Sequence, residues 1–328
     1  MRSKKYTKYV VIVFAVIFLI SAILLFLELW ERHHGEFSGS VTENDIIEYE
    51  GQKYSPKKGI ETFLVMGLDK FQGMSTADSH ESGVQADFLM LFVLDNEAQS
   101  CSAIHINRDT MVDVNRLAIG GAKVDTFTKQ IALAYNYVAD DNDKVRCRNT
   151  KDSVESLLKG IKIDHYLSLT MDSVAVINDL VGGVEVTVLD DFSAVDSSLV
   201  QGEQIVLNGQ QALRYIRSRY GLENSDNIAR MARQRQYINA LYDKAVSCIN
   251  DDEDASIEWI DAMDEYVVYD SSDYKMRKLA EKFGIYEFLG IREIEGHAKN
   301  GEEFVEFYPD EDSLMKTVTE LFYSPKAD

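Results

Sequence analysis

Phe88-Leu89-Met90-Leu91-Phe92-Val93-Leu94 is a run of seven apolar residues entered from Asp87 and left at Asp95. A run of strand length without polar alternation predicts a strand buried on both faces. The same reading applies upstream to Ile60-Glu61-Thr62-Phe63-Leu64-Val65-Met66-Gly67-Leu68, which ends at Asp69. Residues 101–107 form a third candidate strand and lead into Arg108-Asp109-Thr110. Residues 70–86 are rich in Gly, Ser, Thr and Asp and read as a loop.

Helical signals follow over 126–137, 153–158 and 171–180, the last stopping at Gly182-Gly183 before the alternating strand 184–188. Asn208 is a suitable N-cap for a helix through Ile216, and 228–249 carries Met231, Ile238, Leu241, Ala245 and Cys248 at helical spacing. Residues 274–283 and 312–323 are amphipathic, and the acid run at 251–254 reads as a solvated loop. Strands alternating with helices predict a mixed α/β fold in α-β-α layers, with helices on both faces of a largely buried central sheet over residues 60–325.

Residues 9–27 carry no charge, and Leu29 and Trp30 extend the apolar character past Glu28. That length spans a bilayer as a helix, predicted over 9–30. Arg2, Lys4, Lys5 and Lys8 precede it without an acid, so residues 1–8 are expected in the cytoplasm and the rest of the chain outside the cell. The competing reading is a cleaved signal peptide, but the run exceeds a usual h-region and no clear small-x-small site follows. Residues 31–59 are polar and read as an extracellular stalk; adjacent His33 and His34 point apart and lack a third ligand nearby.

The chain has 34 Lys plus Arg and 55 Asp plus Glu, a formal charge of −21. Four bases and Glu28 fall within residues 1–30, so 30 bases face 54 acids on the remainder, a charge of −24. Such a balance excludes a nucleic-acid binder and requires a local cationic patch for any anionic ligand. Three cysteines are too few and too scattered for a disulfide framework or a Cys-rich zinc site.

The cationic patch lies between positions 214 and 235, where Arg214, Arg217, Arg219, Arg230, Arg233 and Arg235 face only Glu223 and Asp226. Arginine without lysine suits bidentate contacts to phosphate oxygens. Arg230, Arg233 and Gln234 share a face in the first turns of their helix, whose N-terminus also favours an anion. Arg217 and Arg219 would share a face if their segment is extended. Asp69 and Asp87 end and begin the two buried strands, so carboxylates can meet there and hold magnesium against a phosphate. The blander readings are arginines that neutralise an acidic surface and aspartates that favour turns.

Taken in order, FLVMGLD ending at Asp69, ADFLMLFVLD from Ala86, NRDTMVDV around Arg108, DLVGGVEV around Gly182-Gly183, LNGQQALRYIRSRY through Arg217 and Arg219, and RMARQRQYI through Arg230, Arg233 and Gln234 resemble the LytR-CpsA-Psr family of membrane-anchored wall enzymes. The resemblance implies a phosphotransferase that moves a glycopolymer, such as a teichoic acid or capsular polysaccharide, from undecaprenyl pyrophosphate to the muramic acid 6-hydroxyl of peptidoglycan. It implies magnesium on Asp69 and Asp87, and pyrophosphate bound by Arg108, Arg217, Arg219, Arg230 and Gln234 with Arg233 in support. Asp87, Arg108, Arg217 and Arg219 would be the catalytic set, and the prenyl chain would lie in an apolar cavity between sheet and helices.

The chain departs from the family pattern at Gln85, where an Arg is usual and where a substrate contact is still expected. It also has His105-Ile106-Asn107 for Ser-Ile-Pro, and Asp226 stands four residues before Arg230. His105 reads as a core residue rather than a base. The alternatives in function are a non-catalytic polyprenyl-phosphate binding protein and a hydrolase that releases the glycan to water.

Overall fold

The computed structural model describes residues 46–72, 83–219, 221–222, 226–252, 255–302 and 304–326. The predicted membrane span, the residues before it and residues 31–45 of the predicted stalk lie outside the described residues. Within them, the first elements are strands β1 (Ile47–Tyr49) and β2 (Gln52–Pro56). The predicted buried strands follow as β3 (Ile60–Leu68), β4 (Ala86–Asp95) and β5 (Ser100–Ile106). A hairpin, β6 (Met111–Leu117) and β7 (Lys123–Gln130), leads through a 3-10 turn (Ile131–Tyr135) to helix α1 (Asp143–Leu157) and strand β8 (His165–Leu169).

Helix α2 (Ser173–Leu180) precedes a second hairpin, β9 (Val184–Thr187) and β10 (Gln204–Leu207). Then come helices α3 (Gly209–Arg217), α4 (Asn227–Asp251) and α5 (Ala255–Met263), strand β11 (Val267–Tyr269) and helix α6 (Asp273–Ile285). The chain closes with β12 (Glu287–Glu293), the hairpin β13 (Gly296–Asn300) and β14 (Val305–Pro309), α7 (Glu311–Phe322) and β15 (Tyr323–Pro325).

The central sheet has six strands in the order β11-β8-β3-β4-β5-β12. It is mixed: β3 runs antiparallel to β4 and parallel to β8, while β5 runs antiparallel to β4 and parallel to β12. One face packs Leu64, Met66, Leu89, Leu91 and Ile104 against α1 and α7. The other packs Phe63, Leu94 and Cys101 against Leu279 and Phe283 of α6. This is the layered α/β arrangement that the apolar runs predict. A second core joins Val184, Val186 and Leu207 of the β9–β10 hairpin to Tyr215 of α3 and Tyr237 of α4. That core sets the two arginine-bearing helices against the β9–β10 hairpin.

Two sequence expectations are corrected. Residues 126–137 are not a helix: 123–130 form β7, whose ladder with β6 pairs Val114 with Phe127 and Asn115 with Thr126. Thr126, Phe127 and Thr128 favour a pleated surface, and the ladder decides in their favour; only 131–135 coil, all buried. The expected stalk ends earlier than 59, because β2 pairs with both β1 and the C-terminal β15. No local pattern marks these edge strands; the distant chain end supplies their hydrogen bonds.

Candidate active site

Register brings the two aspartates together. Gly67 pairs with Phe88 but Leu68 pairs with Ala86, so Asp87 is the extra residue of a bulge. A bulge re-aims a side chain at the end of a ladder. Gly67 permits it, since a Cβ there would lie 2.9 Å from that of Phe88. Past the bulge the Asp69 N–H donates to the Gln85 carbonyl at 2.9 Å, so Asp69 closes the same strand end.

Arg108 follows the end of β5 in a turn built by Asn107. The Asn107 side chain accepts from the Asp109 N–H at 2.9 Å, and its carbonyl accepts from the Thr110 N–H at 3.0 Å and hydroxyl at 2.7 Å. The turn sends the Arg108 guanidinium back over the sheet end, where it donates to Asp87 and to Oε1 of Gln85. Its Nε lies 3.4 Å from Asp109. Gln85 therefore orients an arginine where the family pattern has one.

Helix α4 brings the second arginine. Asp226 caps it by accepting from the Ala229 N–H at 2.7 Å, so this residue is structural. Arg230 in its first turn donates to Asp87 at 3.2 Å and to Asn227 at 2.7 Å. The Asn227 amide in turn donates to Asn107 at 2.9 Å, tying the helix start to the Arg108 turn. Both oxygens of Asp87 thus face guanidinium groups from elements far apart in sequence.

Arg217 and Arg219 do not lie in an extended segment. The capping box of Asn208 and Gln211 starts α3 and Arg217 is its last residue, half exposed, 3.5 Å from Asp69 and over the ring of Phe71 at 5.8 Å. Arg219 lies just beyond the helix end at Ser218. Its positive charge bears on both Asp109 and Arg230.

Arg233 makes no open contact of its own: it is fully buried, donating to the Tyr215 carbonyl at 2.9 Å, to Asp190 and to the Ser218 carbonyl, with Phe192 under its guanidinium at 5.4 Å. Every nitrogen is engaged by protein, so none faces a ligand. Its role is to hold the end of α3 that presents Arg217 and Arg219. Gln234 works beside it, donating to the Ile216 carbonyl at 3.2 Å, while its own carbonyl oxygen is buried without a partner.

The electrostatics show a site short of negative charge. Nε of Arg108, Arg219 and Arg230 is buried without a hydrogen-bond partner in each case. Burial lowers the Arg230 pKa against the pull of Asp87, and Arg108 and Arg219 lower it further. Burial raises that of Asp109, which the neighbouring arginines oppose. An anion with several oxygens would relieve the repulsion among these arginines.

His105 lies one strand over, against Phe88 with ring centroids 5.2 Å apart. Burial, then Arg235 and Arg230, push its pKa down to about 3. Its Nδ1 has no partner. A base so weak belongs to packing, as the sequence reading holds. On this same face Val65, Phe88, Phe92 and Leu167 remain half-buried beneath α4 and α6, while Leu64, Met66, Leu89 and Leu91 opposite are closed off completely. Asn227, Asp190 and Gln130 were not singled out by sequence reasoning, and Asn107 only as a departure from the family pattern. Only the Asn107 turn, directly before Arg108, left a local signal.

Residues 33–321 match the LytR_cpsA_psr family, and the chain belongs to it. It is 30% identical over 214 residues to the polyisoprenyl-teichoic acid–peptidoglycan teichoic acid transferase TagV of Bacillus subtilis, covering 63% of this chain and 47% of that protein. It is 28% identical to the enzyme of the same description, TagU, of Bacillus licheniformis, covering 56% of this chain and 52% of that one. The chain thus spans about half the length of these relatives. The crystal structure of B. subtilis TagV aligns with a TM-score of 0.58 at 24% identity, over 80% of this chain and 97% of that one, a likeness of fold.

Proposed function

We propose that this protein is a phosphotransferase that joins a polyprenyl pyrophosphate-linked glycopolymer to peptidoglycan, as the names of its relatives describe for them. The observation that carries the reading is the convergence of Arg108 and Arg230 on Asp87, with Arg219 close by. Such a cluster fits a diphosphate better than a single carboxylate, because it offers more charge and more donors than one carboxylate can satisfy.

The acceptor is the 6-hydroxyl of muramic acid. Its oxygen attacks the phosphorus nearer the glycopolymer, the bond from that phosphorus to the bridging oxygen breaks, and prenyl phosphate leaves. The hydroxyl proton passes, directly or through solvent, to the departing prenyl phosphate, and a phosphodiester to the wall sugar remains. Arg108, Arg219 and Arg230 hold the non-bridging oxygens and neutralise charge that grows on the leaving group, the main demand of phosphoryl transfer. Arg217, reaching Asp69 from the half-exposed end of α3, closes the open side.

Asp69 and Asp87 are the residues that would hold magnesium. Among the described residues no cluster of three or more metal-ligating side chains exists. Two carboxylates at one strand end nonetheless match an ion that takes one or two carboxylates and completes its shell with substrate phosphate and water. When bound, the ion supplies further charge neutralisation at the phosphate oxygens.

The half-buried Val65, Phe88, Phe92 and Leu167 supply an apolar bed for the prenyl chain beside the arginines. A membrane helix over 9–30, with residues 1–8 cytoplasmic and the folded part outside, would keep that bed near its lipid supply; the uncharged run and the four bases before it support this. Reconstitution tests the reading. The full chain, magnesium, a polyprenyl pyrophosphate glycan and a peptidoglycan oligosaccharide should yield a covalent glycan–peptidoglycan product and prenyl phosphate. Release of glycan to water alone, or binding without turnover, would overturn it.

A further inference from the structure

The chain just past Asp69 is pinned at three points. The Lys70 ammonium donates to Asp143 of α1 at 2.8 Å, the Lys70 carbonyl accepts from the Met171 N–H at 2.8 Å, and the Gln72 N–H donates to the Asp172 carboxylate at 3.2 Å. Tyr135 steadies the first anchor by donating to the same Asp143 at 2.6 Å. Between these anchors stands Phe71, which is 38% exposed. An apolar ring held toward water on a fixed backbone forgoes the stabilisation that burial would give it. Its setting is specific: Lys70 turns to α1, whereas Asp69 and Phe71 both meet Arg217 of α3. The Arg217 guanidinium lies 3.5 Å from the Asp69 carboxylate and 5.8 Å from the centre of the Phe71 ring.

Three features follow one another along this single stretch. Val65 of β3 belongs to the half-buried apolar bed, Asp69 closes the strand end that holds the charged cluster, and Phe71 stands just beyond it. Two residues of chain reach about 7 Å at most, so the ring stays next to whatever Asp69 and Arg217 hold. The order of apolar bed, charge and aromatic ring matches the order of prenyl chain, diphosphate and sugar in the donor. We infer that Phe71 is a specificity-determining residue whose ring is a platform for the pyranose joined to the donor diphosphate; the inference rests on the transferase reading. A pyranose turns C–H groups outward from its face, and these pack on an aromatic ring that has no hydrogen bond to offer. The cation–π contact of Arg217 with the ring keeps that guanidinium within reach of the phosphate that carries the sugar. A prenyl chain has no reason to pass Phe71, since its bed lies on the other side of Asp69.

The experiment titrates the full chain in detergent, with magnesium, against two probes: farnesyl diphosphate, and farnesyl diphosphate carrying one N-acetylglucosamine. Phe71→Ala should raise Kd for the sugar-bearing probe about tenfold, equivalent to about 1.4 kcal/mol, and leave Kd for the sugar-free probe unchanged. Phe71→Leu, apolar but without a flat face, should behave as Phe71→Ala, and Phe71→Trp should bind both probes as the unaltered chain does. Arg217→Ala should weaken both probes. Equal weakening of the two probes by Phe71→Ala would make the ring a prop for Arg217 or a prenyl contact and overturn the platform, as would no weakening of either. A chain that transfers glycan yet shows either of those patterns loses the platform and keeps the transferase reading. Selective weakening in a chain that transfers nothing would support the platform while removing the transferase reading, and failure of the unaltered chain to bind either probe would remove both.

Discussion

Arg233 commits every side-chain nitrogen to protein oxygens in a fully buried setting, whereas Arg217 is half exposed and meets Asp69 and the ring of Phe71. The contrast separates stability from chemistry. Arg233→Ala should cost about 3–5 kcal/mol because it leaves Asp190 without its buried partner, a fall in Tm on the order of 10 °C. Arg217→Ala should melt within about 0.5 kcal/mol of the unaltered chain yet lose at least about 100-fold in transfer. Thermal melts beside a transfer assay check both, and a reversed pattern would be fatal to the division of roles.

His105 makes a second residue-level prediction. Its folded pKa of about 3 lies below the unfolded value of 6.5, so the unfolded chain binds the proton more readily between those limits. Stability should therefore be unaffected by this group above pH 6.5 and fall as pH drops toward 3, by up to about 1.4 kcal/mol per pH unit. Denaturant melts across that range should show a shallower slope for His105→Leu; an unchanged slope would mean the imidazole is not held neutral.

At the scale of the element, the arginines depend on where α3 begins. A Cβ at Gly209 would lie 2.5 Å from the Ala175 carbonyl oxygen and 2.9 Å from its Cα, both backbone atoms of α2. Gly209 is thus the point of closest approach between the two helices, fixed further by its N–H donating to Asp179 at 2.8 Å. Gly209→Ala should push α3 off α2, costing about 1–3 kcal/mol by overpacking, and should lower transfer more than this loss accounts for, since Arg217 rides on the far end of the helix. Activity per folded molecule, taken well below Tm, measures the second effect; full specific activity would show that α3 can shift without moving Arg217.

For the whole molecule, the contrast between an acidic body and a cationic strand end predicts how the parts separate. On the proposed anchoring through residues 9–30, deleting residues 1–30 should move a folded domain to the soluble fraction, since the central sheet needs no residue before Ile60. Fractionation with a melt of the released protein checks this; retention on membranes would point to a second attachment. Chelation of magnesium should stop transfer and leave Tm nearly unchanged, as the aspartates keep arginine partners without the ion.

The sequence by itself determined the central strands, the long helix and the candidate arginines, because burial on both faces demands unbroken apolar runs and guanidinium groups stand out against an acidic chain. It also determined the N-cap at Asn208, a local hydrogen-bond device. Tertiary structure alone decided that β2 pairs with the chain end, that 123–130 pairs as a strand, and that Asp87 sits in a bulge between Arg108 and Arg230. It alone withdrew Arg233 from the ligand into the core. Hydrogen-bond partners that arrive from far along the chain leave no periodicity in either segment, so an arginine that binds phosphate and one that props a helix read alike until the fold brings their partners together.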